Sequence, residues 1–88
     1  LSFDQAERRI ARTLLNLAAQ YGRPCPEGVR ISIRFTHQDV AGIINTSRIT
    51  TNKVMKRMEE EGILLKREGR YILRALPALE RLARGEGQ

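Results

Sequence analysis

The residues most open to chemistry lie in one short stretch, 47–56, reading SRITTNKVMK. At helical periodicity Ile49, Asn52, Lys53 and Lys56 share one side, with Arg48 flanking it at the N-terminal end. Thr51, Val54, Met55 and Met58 share the opposite side, at core spacing. A guanidinium, a carboxamide, two ammonium groups and an aliphatic body on one face suit recognition better than bond making. Arg48 has the fork that pairs bidentately with guanine O6 and N7. Asn52 can read adenine or bridge a phosphate, Ile49 can touch a thymine methyl, and Lys53 adds a cation beside them. Arg48, Ile49, Asn52 and Lys53 are therefore the candidate base-reading residues, and Lys56 a candidate phosphate contact.

No catalytic constellation competes with that face. The single histidine, His37, would need a nucleophile and an orienting carboxylate to act as a general base. Asp39 is two residues on, which points it elsewhere on a helix. His37 reads as a surface histidine near a helix N-terminus, touching solvent or a phosphate. The seven glycines are scattered, so no phosphate loop is present. One cysteine, Cys25, excludes an intrachain disulfide, and no Cys/His cluster offers a zinc site. An enzyme is not expected, and no metal or cofactor is expected in this stretch of chain.

A reading face needs elements to hold it. Eighty-eight residues suit one small domain, expected over residues 1–84 with a flexible tail at 85–88. Sixteen Lys/Arg against ten Asp/Glu give a net charge of +6, which favours a polyanionic partner, nucleic acid first. No run approaches the length of a membrane span and no signal peptide is visible, so no membrane partner and a reducing cytoplasm are expected.

Residues 1–21 read as a helix, with Ser2 and Gln5 as a capping box and Phe3, Ala6, Ile10, Leu14, Leu17 and Tyr21 as its apolar stripe. Asp4 and Glu7 suit its first turn, and Gly22 its C-cap. Two prolines and a glycine predict an irregular loop over 23–28. Val29, Ile31, Ile33 and Phe35 alternate with polar residues and predict a half-buried strand. Thr36 with Asp39 then caps a short helix ending at Asn45, a residue tolerant of left-handed backbone. Ser47 caps the next helix, expected over about 48–61 and stopped by Gly62. Lys56–Glu60 and Arg57–Glu61 can offset the acidic end of that helix. Residues 63–66 and 70–74 read as two strands around Glu68-Gly69, and Pro77 opens a last helix.

Two helices joined by a tight turn and followed by a basic hairpin make a winged helix–turn–helix, an α+β fold. Such a crossing leaves the outer face of the second helix exposed. Thr36, His37, Gln38, Ser47 and Thr50 lie at two helix N-termini, where backbone amides and short polar side chains hold phosphates. Lys66, Arg67 and Arg70 surround the hairpin tip, where a wing lies along the phosphate backbone.

The run THQDVAGIINTSRITTNKVMKRMEEEGIL, preceded by ERRIARTLLNLAAQYG and followed by KREGRYI, resembles the C-terminal winged-helix domain of Crp/Fnr-type bacterial transcription regulators. The resemblance covers about residues 6–75 and is most specific in RIARTLLNLA and in Ser47-Arg48-Ile49-Thr50. It implies sequence-specific binding of double-stranded DNA. Arg48 matches the family's guanine-reading arginine, and Lys53 stands where an arginine is common. Ile49 replaces the usual glutamate, Asn52 a small residue and His37 a frequent basic one. Phosphate contacts carry over to Thr36, Gln38, Ser47 and Thr50. The resemblance further implies that this stretch is the DNA-binding part of a longer, homodimeric, cytoplasmic regulator, with RNA polymerase as a further partner and the effector bound elsewhere. The rival reading is a winged-helix protein–protein interaction module, whose basic face meets an acidic partner.

Overall fold

A computed structural model describes residues 1–86 and gives the order α1 (Phe3–Tyr21), β1 (Gly22–Cys25), β2 (Gly28–Ile31), α2 (His37–Ile44), α3 (Arg48–Glu60), β3 (Leu64–Arg67), β4 (Arg70–Leu73), α4 (Leu76–Ala83). The α+β winged helix–turn–helix expected from the sequence is the fold found. No helix of the described residues is long and apolar enough to cross a membrane.

Helix α1 touches each of the other three helices as well as β1 and β2. It begins at the expected capping box, in which the Ser2 hydroxyl accepts from the Gln5 amide at 3.2 Å and the Gln5 side chain accepts from the Ser2 amide at 3.0 Å. Ala6, Ile10 and Leu14 are fully buried, but Tyr21, expected to complete the stripe, is exposed. The stripe has left the core by the helix's last turn. Glu7 is the surprise of this helix, since it is only 1% exposed. Its charge is felt by Arg57 of α3, whose guanidinium is held above its usual range first by its hydrogen bond to Glu61 and then by Glu7. Gly22 caps the helix in extended rather than left-handed backbone, its amide donating to Ala18 O. A Cβ there would stand 2.3 Å from that same oxygen, so the close approach explains the glycine.

The loop expected over 23–28 is instead mostly strand. Residues Gly22–Cys25 pair antiparallel with Gly28–Ile31 across a tight turn, and the sheet order is β1-β2-β4-β3. Pro24 is tolerated because β1 is an edge strand, where a missing amide breaks no ladder on the outer side. The strand expected to run to Phe35 stops at Ile31, and Ile33 is exposed. Opposite Ser32 the neighbouring chain is already the end of α1, with Tyr21 O accepting from the Ser32 amide, so the ladder has no further partner there. The chain bends at Ser32 and Ile33, and Arg70 Nε donates to the Ser32 carbonyl at 2.8 Å. Phe35 turns back inward and stacks on Tyr71 at 5.0 Å between ring centroids. In the wing, Lys66 faces Tyr71 and Arg67 faces Arg70 across β3 and β4. Glu68 and Gly69 both have positive φ, 54° and 79°, as a two-residue hairpin turn of the primed type demands.

The helix–turn–helix matches the expected punctuation closely. Asn45 takes the left-handed conformation at φ 59°, and its amide and that of Thr46 both return to Ala41 O. Glu61 caps α3, with Gly62 at φ 76° just beyond. The Arg57–Glu61 pair forms at 3.2 Å; among the described residues Lys56 and Glu60 make no such pair. Val54, Met55 and Met58 of α3 belong to one buried core with Ile10 and Leu14 of α1, Val40 and Ile44 of α2, Leu64 and Leu73 of the wing, and Leu79 and Leu82 of α4. Pro77 lies in the first turn of α4 as expected. Arg12 of α1 donates to Ala83 O at 2.9 Å, fastening the end of α4 to α1. The amides of Gly85 and Glu86 return to Leu82 O and Arg81 O; residues 87 and 88 of the expected tail lie outside the described residues.

Because Met55 is fully buried at the centre of this packing, Met55→Ala should destabilise the domain by about 2–5 kcal/mol. Chemical denaturation of both proteins measures this, and a loss below about 1 kcal/mol would mean that α3 is not seated as described.

Candidate nucleic-acid interface

The face singled out in the sequence is an outward one. Arg48, Ile49, Asn52, Lys53 and Lys56 are all exposed, while Thr51, Val54, Met55 and Met58 behind them are buried. Thr51 is accommodated in the core because its hydroxyl donates to Ser47 O at 3.0 Å. Ile49 is 65% exposed and so places a large aliphatic side chain among cations in open solvent.

The two helix N-termini beside this face are built by their own side chains. At α2, the Thr36 hydroxyl accepts from the Asp39 amide at 3.1 Å, and the Asp39 carboxylate accepts from the Thr36 amide at 2.8 Å. At α3, the Ser47 hydroxyl accepts from the Thr50 amide at 3.1 Å and donates to the Thr50 hydroxyl at 3.0 Å. Gln38 is exposed on the first turn of α2.

His37 is not the free surface residue that the sequence suggests. It is half-buried, and both ring nitrogens are engaged. Nδ1 lies 2.6 Å from Asn52 Oδ1 on α3, and Nε2 lies 2.9 Å from the hydroxyl of Tyr71 on β4. The rings of His37 and Tyr71 are roughly parallel, 6.3 Å apart. Tyr71 is 2% exposed. Burial, and after it the charge of Glu59, push its phenol above the usual range, so the hydroxyl keeps its proton. Tyr71 is thus a member of the site that the sequence did not reveal. Its strand position is visible, but nothing local signals contact with a histidine 34 residues away.

The three wing cations separate. Side chains alternate across a strand, so Lys66 shares the inner face of the sheet with its neighbour Tyr71, while Arg67 and Arg70 lie on the outer face. Lys66 Nζ stands 5.3 Å from the Tyr71 ring centroid, on the side of the helix–turn–helix. Arg67 pairs with Glu27, and Arg70 is committed to Ser32 O. Burial opposes the charge on Glu27, yet its own backbone amide and then Arg67 hold its carboxyl below the usual range. Among the described residues no group of three or more His, Cys, Asp or Glu can hold a metal ion.

An exposed basic helix face, a preceding helix joined through a left-handed turn, and a hairpin wing beside them define a winged helix–turn–helix domain. The Crp-like helix-turn-helix domain family matches residues 8–82 of the chain. The chain belongs to that family, and it is a regulator-type, DNA-binding helix–turn–helix. It is 32% identical over 85 residues to the Cyclic AMP receptor protein of Thermus thermophilus, covering 97% of the chain and 36% of that relative. It is 37% identical over 65 residues to the cAMP-activated global transcriptional regulator CRP of Salmonella typhimurium, covering 73% of the chain and 30% of that relative. Among solved structures, TTHB099, a transcriptional regulator of the CRP family from Thermus thermophilus, superposes with a TM-score of 0.79 at 28% identity, over 94% of this chain and 42% of that one. The fold is also that of the CO-dependent transcription factor CooA from Carboxydothermus hydrogenoformans, with a TM-score of 0.84 at 23% identity over 92% of this chain and 38% of that one. The chain spans about a third of the length of these curated relatives.

Proposed function

We propose that this chain is the DNA-reading part of a longer cytoplasmic Crp/Fnr-type transcription regulator. It binds duplex DNA sequence-specifically as half of a symmetric dimer. The recognition helices of the two halves enter successive major grooves about 34–36 Å apart on a pseudo-palindrome. The observation that carries this reading is the exposed face of α3, opposite a fully buried seam, with Arg48, Ile49, Asn52 and Lys53 at its N-terminal half.

Arg48 is the guanine reader, through its bidentate fork. Lys53 brings charge without that fork, so it discriminates less sharply. Ile49 packs on a thymine methyl, and Asn52 meets a neighbouring base edge. Thr36, Gln38, Ser47 and Thr50 hold phosphates at the N-termini of α2 and α3, His37 stands beside them, and Lys56 extends that contact along α3. Of the wing cations Lys66 contributes most. Arg67 is already matched by Glu27 and Arg70 by a backbone carbonyl, so each adds less. The chain itself holds no cofactor; the effector acts on another part of the protein, and RNA polymerase is a further partner of the bound dimer.

Arg48→Ala should weaken binding to the preferred duplex by about 1–3 kcal/mol and relax preference at one G·C pair. Equal losses on preferred and scrambled duplexes would remove Arg48 from base reading. Wild-type protein that did not distinguish those duplexes at moderate salt would favour the protein-interaction reading instead. Lys66→Ala should lower the slope of log affinity against log salt by about 0.9 per half-site. Arg67→Ala should lower it less, and the opposite ranking would place the outer face of the wing, not the inner, against the phosphates.

A further inference from the structure

His37 and Asn52 come from different helices and meet on the face that the reading above turns toward DNA. A carboxamide offers one acceptor oxygen and two N–H donors. Reading adenine requires both at once, the oxygen accepting from N6 and the nitrogen donating to N7. In this chain the oxygen is turned toward His37, which engages one of its two lone pairs and draws it away from a base edge that the nitrogen still faces. Asn52 Oδ1 lies 2.6 Å from His37 Nδ1, and because a carbonyl oxygen has no proton to give, Nδ1 carries the hydrogen.

The rest of the chain of contacts fixes this orientation. With the proton on Nδ1, the neutral ring accepts at Nε2 from the Tyr71 hydroxyl, 2.9 Å away. A charged ring would donate through both nitrogens and keep the Nδ1–H bond to Asn52. Reversing the Asn52 amide would instead require a proton on Nε2, donated to the Tyr71 oxygen. The Tyr71 hydroxyl proton, on a residue 2% exposed, would then lack an acceptor among the described residues. A buried donor left unsatisfied is the costlier arrangement. Asn52 therefore turns its amide nitrogen away from His37, one helical turn beyond Arg48 on the outer stripe.

We propose that His37 is a positioning residue that fixes the Asn52 amide with its donor side toward the groove. Asn52 then selects a base pair whose major-groove edge offers acceptors, guanine foremost, over the mixed edge of adenine. This rests on the DNA-binding reading above. Tyr71 locks the arrangement from the wing, so the base preference of α3 depends on a residue that touches no DNA.

The test is selection of bound sequences from a random duplex pool by the full-length protein, as wild type, Asn52→Ala, His37→Phe and His37→Asn. Asn52→Ala identifies the base pair that Asn52 reads. Wild type should enrich guanine there, and 7-deazaguanine, which lacks the N7 acceptor, should weaken binding at that pair by roughly fivefold or more, as loss of part of a base contact implies. His37→Phe keeps a ring beside Tyr71 but removes the N–H. It should bring guanine and adenine at that pair to within about twofold while leaving the Arg48 pair unchanged. His37→Asn, whose amide can donate in place of Nδ1, should restore the guanine preference. A merely structural role would degrade every position together and would not separate these variants. Should His37→Phe fail to fold, Tyr71→Phe removes only the hydroxyl and should also reduce the guanine preference. Unchanged preference in the folded variants, or adenine enriched by wild type, overturns the positioning inference alone. No enriched sequence from wild type overturns it together with the DNA-binding reading.

Discussion

Everything at the reading face depends on burying one seam of α3. A helix of 13 residues gains little from its own hydrogen bonds in water, and its stability comes from packing an apolar stripe. Val54, Met55 and Met58 provide that stripe, joined by Thr51 with its hydroxyl satisfied internally. Once those side chains are seated against α1 and α2, the rotation of α3 about its axis is set. Arg48, Ile49, Asn52, Lys53 and Lys56 have only the outside to occupy. The exposure of the reading face is thus a consequence of core packing, and a one-residue shift in the seam would turn the wrong side chains outward.

The parts legible in the sequence are those governed by local chemistry. Thr36 with Asp39, Asn45, Ser47 and Gly62 each solve a problem within a few residues of themselves, and the helix–turn–helix they delimit is the one observed. The seam of α3 follows from helical periodicity alone. What was illegible is set by distant partners. Gly22–Cys25 becomes a strand only because Gly28–Ile31 is there to pair with it, and two prolines in the segment conceal that. Ile33 keeps the two-residue alternation of a strand yet lies outside the sheet, because beyond Ile31 the neighbouring chain is the end of α1 and not a strand. Glu7 reads as an acid suited to the start of α1, but the packing of α1 against α3 buries it where its charge acts on Arg57.

The same division holds at the interface. The candidate residues of α3 are exposed as their spacing implies. The wing, by contrast, reads as one basic tip, while strand alternation sends Lys66 to one face and Arg67 and Arg70 to the other. Two of the three cations already have partners within the domain. His37 is the clearest case. Its sequence neighbours offer no partner, whereas the fold brings Asn52 from 15 residues away and Tyr71 from 34 to its two ring nitrogens. The wing and the recognition helix are thereby joined through a side chain at the start of α2.

The most direct measurement is methylation interference with dimethyl sulfate on a duplex recovered by selection with the full-length protein. Entry of α3 into two successive major grooves requires that guanine N7 methylation block binding in two clusters about one helical turn apart, with Arg48→Ala abolishing interference at one guanine of each cluster. Interference confined to adenine N3 in the minor groove, or none at any purine, would contradict major-groove reading by this face.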